Sequence, residues 1–236
     1  MTCRVPHRLT VLIFGDSFVA GVGDPSGLGW TGRLAAAPPP GVDLTTYPLG
    51  IRRDTSADVL ARWQTETRAR IPDSGTTVLV VSFGVNDSTD DGAGRPRVAA
   101  ADAVANLRAV LRGAQALGLP TLVVGPPPIA DPRINDRILQ LDTLLADEAR
   151  AHGIPVVPVA HDLLADEVWM SEVSAGDGAH PGARGYAALA ALVRPGWEAF
   201  LADALGDQYA DQYAAAFAEW DRSGEGDVWE RTAADA

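Results

Sequence analysis

Short, unbroken apolar runs alternate with helical stripes along most of this chain. Leu9 to Phe14, Thr77 to Phe83, Thr121 to Val124 and Val156 to Val159 have strand length. Val42 to Leu49 is a weaker run, favoured as a strand by Thr45, Thr46 and Tyr47. The runs are continuous rather than alternating, as expected of strands covered on both faces. Between them lie helical segments. Trp30 to Ala37 ends at three prolines, and Thr55 to Arg70 starts at an Asp54 or Thr55 cap with Val59, Leu60 and Trp63 on one face. Val98 to Leu117 is stopped by Gly118 and Pro120, and Asp131 to Ala151 carries Ile134, Ile138, Leu141 and Leu145 as a stripe. Residues 160–181 read as a loop, and Ala183 to Leu205 as the last helix. Strand–helix alternation of this kind predicts an α/β protein: a three-layer α/β/α, flavodoxin-like fold with about five parallel strands.

The pattern changes at Gly206. Asp-Gln-Tyr-Ala occurs twice in tandem, and its tyrosines Tyr209 and Tyr213 stand with Phe217 and Trp220 at helical spacing. Residues 1–205 are therefore expected to form one domain and residues 206–236 a helical extension. An aromatic stripe of that size should pack against something, either the body of the protein or a second copy in a homodimer.

Charge and composition narrow the classes of function. The 236 residues carry a formal net charge of −12, which argues against a nucleic-acid partner. All nineteen basic residues are arginine, so a phosphate-loop lysine, a Schiff-base lysine and a lysine base are absent. One cysteine excludes a disulfide framework and cysteine-rich metal sites. His7, His152 and His161 lack metal-ligand spacing, so no metal and no cofactor is expected. Residues 1–8 do not read as a signal peptide, and no segment has the length of a membrane span. A cytoplasmic protein is the expectation.

Three polar stretches fall where strands should end or the last loop should lie. They are Gly15-Asp16-Ser17, Gly84-Val85-Asn86-Asp87 and Asp177-Gly178-Ala179-His180-Pro181. Parallel strands with right-handed crossovers put their carboxyl ends on one edge, so the first two should be neighbours. This assortment suits acyl transfer. A serine hydroxyl needs a base, histidine is that base near neutral pH, and a carboxylate fixes its tautomer. Asp177, three residues before His180, is suitably spaced, and the Asn86 amide is placed to donate to an oxyanion. Taken singly, each stretch has a bland reading: a turn, a cap, a solvated loop. Asp16 itself reads as a turn acceptor.

Together these stretches resemble the SGNH hydrolases, the GDSL-type esterase/lipase family. Its first block is similar to "FGDSFVAGVGD", its second to "YPLGIRRDTSADVLARW", its third to Gly84-Val85-Asn86-Asp87 and its last to Asp177 to Pro181. The resemblance spans about residues 9 to 200. It implies Ser17 as nucleophile, His180 as base, Asp177 as its orienting acid, and an oxyanion hole from the Ser17 and Gly50 N–H groups with the Asn86 amide. The implied activity is a metal-independent ester hydrolase acting through an acyl-enzyme on small or medium acyl esters. An acyltransferase, or an O-deacetylase acting on a carbohydrate or metabolite, would use the same residues. A flavin- or nucleotide-binding module would want a phosphate-cradling loop and has no use for Asp177 and His180. Phe18 departs from the family's leucine and should pack. Arg52 and Arg53 stand where small residues are common. They either pair with Asp54, Asp58 or Asp87, or touch an anionic substrate, the reading that makes Arg52 a substrate-binding candidate. Trp169 and Met170 either line an acyl pocket or pack in the loop.

Overall fold

The computed structural model describes residues 7–206. Five strands, β1 (His7–Gly15), β2 (Val42–Gly50), β3 (Thr76–Ser82), β4 (Thr121–Val124) and β5 (Val156–Val157), form one parallel sheet in the order β2-β1-β3-β4-β5. The helices are α1 (Gly29–Ala35), α2 (Ser56–Arg68), one-turn α3 (Val85–Ser88), α4 (Ala100–Ala116), α5 (Pro132–Ala151), α6 (Ala160–Ala165), α7 (Glu167–Ala175) and α8 (Ala183–Leu205).

Side chains alternate across a strand, and this alternation sorts the core into two halves. Leu9, Val11 and Ile13 of β1 point to one face, where Trp30 of α1, Trp169 of α7 and Trp197 of α8 meet them. Leu12 and Phe14 point to the other, against Val59 and Trp63 of α2, Leu107 of α4 and Leu145 of α5. The fold is the expected three-layer α/β/α sandwich, with Trp30, Trp63 and Trp197 in its core as anticipated. Each fully buried side chain of Leu or Phe size contributes about 1.5–3 kcal/mol of transfer free energy.

Prolines mark the limits of the sheet. Pro48 is tolerated because β2 is an edge strand, where a missing N–H leaves no ladder bond unmade. The fifth strand was expected to reach Val159 but stops at Val157, and α6 begins at Ala160. Thr55 is the cap of α2, its hydroxyl and the Asp58 carboxylate closing a reciprocal box. The segment 160–181 is not a loop. It holds α6 and α7, with the Asp166 carboxylate accepting the Trp169 N–H to start the second helix.

Among the described residues no helix is long and apolar enough to cross a membrane. Helix α8 ends at Leu205, and Gly206 follows with φ of 83°. The aromatic stripe from Tyr209 to Trp220, and with it the choice between packing on the body and a homodimer, lies outside the described residues.

Candidate active site

The strand order reverses between β1 and β3, which run side by side with their crossovers leaving in opposite directions. Clefts form outside the carboxyl ends of such a pair. Ser17 leaves β1 there and Asn86 leaves β3 there. The chain turns directly after β1, with the Ala20 N–H donating to the Asp16 carbonyl and the Val22 N–H to the Ser17 carbonyl. The Asp16 carboxylate accepts the Phe18 N–H at 3.0 Å, the turn-acceptor role its sequence position suggested.

Gly50, at the end of β2, packs against this turn. A Cβ at residue 50 would collide with the Asp16 carbonyl oxygen and the Ala20 amide nitrogen, so only glycine allows the approach. Arg62 of α2 ties the same corner together by donating to the Gly15 carbonyl at 3.0 Å and the Leu49 carbonyl at 2.8 Å. Nothing in the sequence pattern marks Arg62 for this, because its acceptors are backbone carbonyls.

His180 arrives from the far end of the chain. It sits in the short lead-in to α8, and its Nε2 lies 2.7 Å from Ser17 Oγ. Its Nδ1 lies 2.7 Å from Asp177 Oδ2. Asp177 is held by its own loop, its Oδ1 accepting the Ala179 and His180 N–H groups at 3.0 and 2.9 Å. The start of α8 is fixed by Glu172 of α7, which accepts the Gly185 N–H at 2.7 Å. Tyr186 of α8 donates its hydroxyl proton to the Val22 carbonyl at 2.7 Å, joining the histidine's helix to the serine's turn.

Behind the imidazole stands an aromatic stack. Phe18 packs on His180 with ring centroids 5.0 Å apart, and on Trp169 at 6.2 Å. Trp169 is fully buried and its Nε1–H donates to the Pro128 carbonyl at 3.0 Å. It therefore backs the site as core instead of lining an acyl pocket. Met170 is half-buried and packs on the same core.

The Asn86 amide faces Ser17's neighbourhood from the other side. Its Nδ2 lies 3.0 Å from the Asp54 carbonyl oxygen and 3.3 Å from Asp16 Oδ2. Asp87, next to it, is completely buried and takes the N–H and hydroxyl of Ser56, so it is engaged away from His180.

Two carboxyls near Ser17 titrate in opposite directions. Burial pushes Asp16 up to about 7, aided by the charges of Asp87 and Asp54, against the Phe18 N–H that favours the anion. Burial also pushes on Asp177, but the N–H and ring of His180 and the Ala179 N–H outweigh it and hold that carboxyl down at about 2.

The expected ion pairs of Arg52 and Arg53 do not form. Asp54 pairs with Arg62 at 2.8 Å, Asp58 is taken by Thr55, and Asp87 by Ser56. Both arginines are exposed, and neither makes an ion pair or side-chain hydrogen bond with the described residues.

The fold has relatives of known structure. The fold is similar to the crystal structure of TesA, at 26% identity and a TM-score of 0.63, covering 81% of this chain and 99% of that one. It is also similar to a lipase/acylhydrolase from Enterococcus faecalis (24%, TM-score 0.57, covering 79% and 93%). A third likeness is to a catalytic mutant of an acetylxylan esterase from Geobacillus stearothermophilus (19%, TM-score 0.64, covering 83% and 96%). No curated protein matches the chain by sequence. Residues 13–188, from within β1 to the first turns of α8, match the sequence model of the GDSL-like lipase/acylhydrolase family, and the chain belongs to that family.

Proposed function

We propose that the protein is a serine-dependent carboxylic ester hydrolase in which Ser17, His180 and Asp177 form the catalytic triad. The observation that carries this reading is the unbroken hydrogen-bonded path from Ser17 Oγ through both ring nitrogens of His180 to Asp177, at 2.7 Å for each link. Membership of an acylhydrolase family supports the reaction class.

The steps follow from this geometry. Ser17 Oγ attacks the ester carbonyl carbon while His180 Nε2 accepts the hydroxyl proton. The carbonyl π-electrons move to oxygen, and the resulting oxyanion is received by the Ser17 and Gly50 N–H groups and the Asn86 amide. Asp177 Oδ2 holds the imidazole in the tautomer with Nδ1 protonated and stabilises the cation that forms. Its partial exposure and local N–H donors keep it ionised to low pH. Collapse of the tetrahedral species transfers the Nε2 proton to the leaving alcohol and leaves an ester on Ser17. Water then attacks that ester with His180 again as base, releasing the acid and the free serine.

In the free protein Asn86 Nδ2 donates to two protein oxygens, the longer contact being to Asp16. That longer hydrogen bond is the one to exchange for an oxyanion. A neutral Asp16 releases it at less cost than a charged one, so the burial that raises the Asp16 pKa favours the reaction.

A panel of p-nitrophenyl esters of increasing acyl length, run with wild type and Ser17→Ala, tests the reading. Turnover of short and medium esters that disappears in Ser17→Ala is expected, and a Ser17→Ala protein that keeps most of its turnover would overturn it. Product analysis with and without an added alcohol separates hydrolysis from acyl transfer.

A further inference from the structure

Arg52 and Arg53 occupy the corner of a tight turn between two of the proposed oxyanion donors, Gly50 and Asn86. The turn closes with the Asp54 N–H donating to the Ile51 carbonyl at 3.2 Å. Its first residue follows Gly50 directly and donates its own N–H to the Gly15 carbonyl at 3.1 Å. Its last residue supplies the carbonyl that holds the Asn86 amide. A side chain at the corner therefore stands within a few residues, on both sides, of the groups that would bind the reacting carbonyl.

Arg53 has φ of 72° and is the one non-glycine with positive φ among the described residues. That is the third position of a turn whose geometry glycine adopts at least cost. The left-handed backbone at Arg53 is held from outside. Arg97 donates from both terminal guanidinium nitrogens to the Arg53 carbonyl, at 3.1 and 3.2 Å. A strained residue kept in place by a dedicated clamp, beside a reactive centre, points to a use for its side chain.

Three exposed arginines, Arg52, Arg53 and Arg97, thus gather at this rim in a chain with a formal net charge of −12. Elsewhere arginines are mostly neutralised: Arg33 by Asp24, Arg62 by Asp54, Arg108 by Glu148, Arg137 by Asp90. The carboxylates that could have silenced Arg52 and Arg53 are engaged by other partners.

We propose that the Ile51–Asp54 turn is an anion subsite, and that the natural substrate is an ester carrying a carboxylate or phosphate which Arg52 and Arg53 bind. This rests on the ester-hydrolase reading and names its substrate class. Guanidinium groups suit such anions because their paired N–H donors match two oxygens at once. The local positive charge also steers an anionic ester to a protein whose overall charge would repel it.

The test compares matched esters. Mono-p-nitrophenyl succinate against p-nitrophenyl butyrate places the anion on the acyl side, and p-acetoxyphenyl phosphate against phenyl acetate places it on the alcohol side. The readout is the ratio of kcat/KM for the anionic ester to that for its neutral partner. In at least one pair the wild-type ratio should favour the anionic ester by about tenfold. Arg52→Ala and Arg53→Gly should each lower that ratio, mainly through KM, and the double variant should abolish it. Arg53→Gly removes the charge while easing the turn, so a fall there reports charge and not a broken loop. Arg52→Lys should restore part of the preference, and raised ionic strength should weaken it. A wild-type ratio near one in both pairs, or a ratio that neither variant changes, overturns the subsite. Loss of butyrate turnover in Ser17→Ala reports separately on the hydrolase reading.

Discussion

Asp177 reaches Ser17 through His180, and Asp16 adjoins Ser17 in the chain, yet the fold treats these two carboxyls oppositely. The Asp177 side chain is 52% exposed and collects two backbone N–H groups and an imidazole. The Asp16 residue is 2% exposed, with one backbone N–H and a longer contact to the Asn86 amide. One is held down at about 2 and the other pushed up to about 7. The difference suits the role proposed for each. A carboxylate that steadies a transient imidazolium must stay charged, and water together with local donors keeps it so. Behind the proposed oxyanion hole a protonated carboxyl adds no second negative charge, and burial shifts Asp16 toward that state. Solvent access, set by a loop in one case and a strand end in the other, gives one kind of side chain two opposite titrations.

The contrast can be broken most severely on the charged side. Asp177→Asn keeps the shape of the loop but presents the wrong hydrogen-bonding group to Nδ1. Its kcat should fall by about 10⁴-fold, with a circular dichroism spectrum and melting temperature close to wild type. A nearly active variant would mean that another acid orients His180. Asp87 is no candidate, since Ser56 holds it inside the protein.

On the neutral side the effect should be smaller. Asn86→Ala removes a single oxyanion donor and should lower kcat by roughly 10²–10³-fold with little change in KM. A change confined to KM would make Asn86 a ground-state binding residue and remove the reason for a neutral Asp16.

Stability against pH also distinguishes a buried acid from an exposed one. The pKa of Asp16 is raised from 3.8 to about 7 by folding, so the folded protein holds a proton that the unfolded chain gives up. Stability from this group is therefore full below about pH 4 and lost as pH rises to about 7, each tenfold difference in proton affinity weighing about 1.4 kcal/mol. Asp16→Asn cannot titrate. The unfolding free energy of wild type minus that of the variant, measured by urea melts, should fall between pH 4 and 7 and then level off. Asp142, which burial raises to about 6, titrates in both proteins and cancels in the difference. A flat difference would mean that Asp16 is not buried as an acid.

The smallest effect is expected behind the imidazole. Trp169→Phe removes the Nε1–H donated to the Pro128 carbonyl while retaining an aromatic ring under Phe18. It should cost about 1–3 kcal/mol of stability, seen as a lower urea midpoint, because a buried carbonyl loses its donor. A stability loss without a large change in kcat is the expected signature of core, and a shift in acyl-length preference would return Trp169 to the pocket.

Much of this architecture is legible in the sequence because it depends on local signals. β3 and β4 announce themselves as apolar runs of strand length, and α5 by its stripe and the Asp131 cap, whose carboxylate accepts the Arg133 and Ile134 N–H groups. Gly50 stands out through family resemblance, and its packing against Asp16 and Ala20 supplies the physical reason. The helices α6 and α7 look like loop in the sequence because six and nine residues are too few to display a helical period. Asp166 ends one and caps the next, so a single residue carries the only signal. Trp169 is ambiguous in the sequence because its burial depends on Phe18 and Tyr186, distant in the chain. The same holds for Arg52 and Arg53. Their freedom from carboxylates is decided by Arg62, Thr55 and Ser56, each of which reaches those acids first.

Activation of Ser17 by His180 is open to covalent labelling. The protein is treated with a fluorophosphonate and examined by intact mass and peptide mapping. One adduct per chain is expected, located on Ser17, absent in Ser17→Ala and formed far more slowly in His180→Ala. An adduct on another residue, or labelling of Ser17 at an undiminished rate without His180, would contradict it.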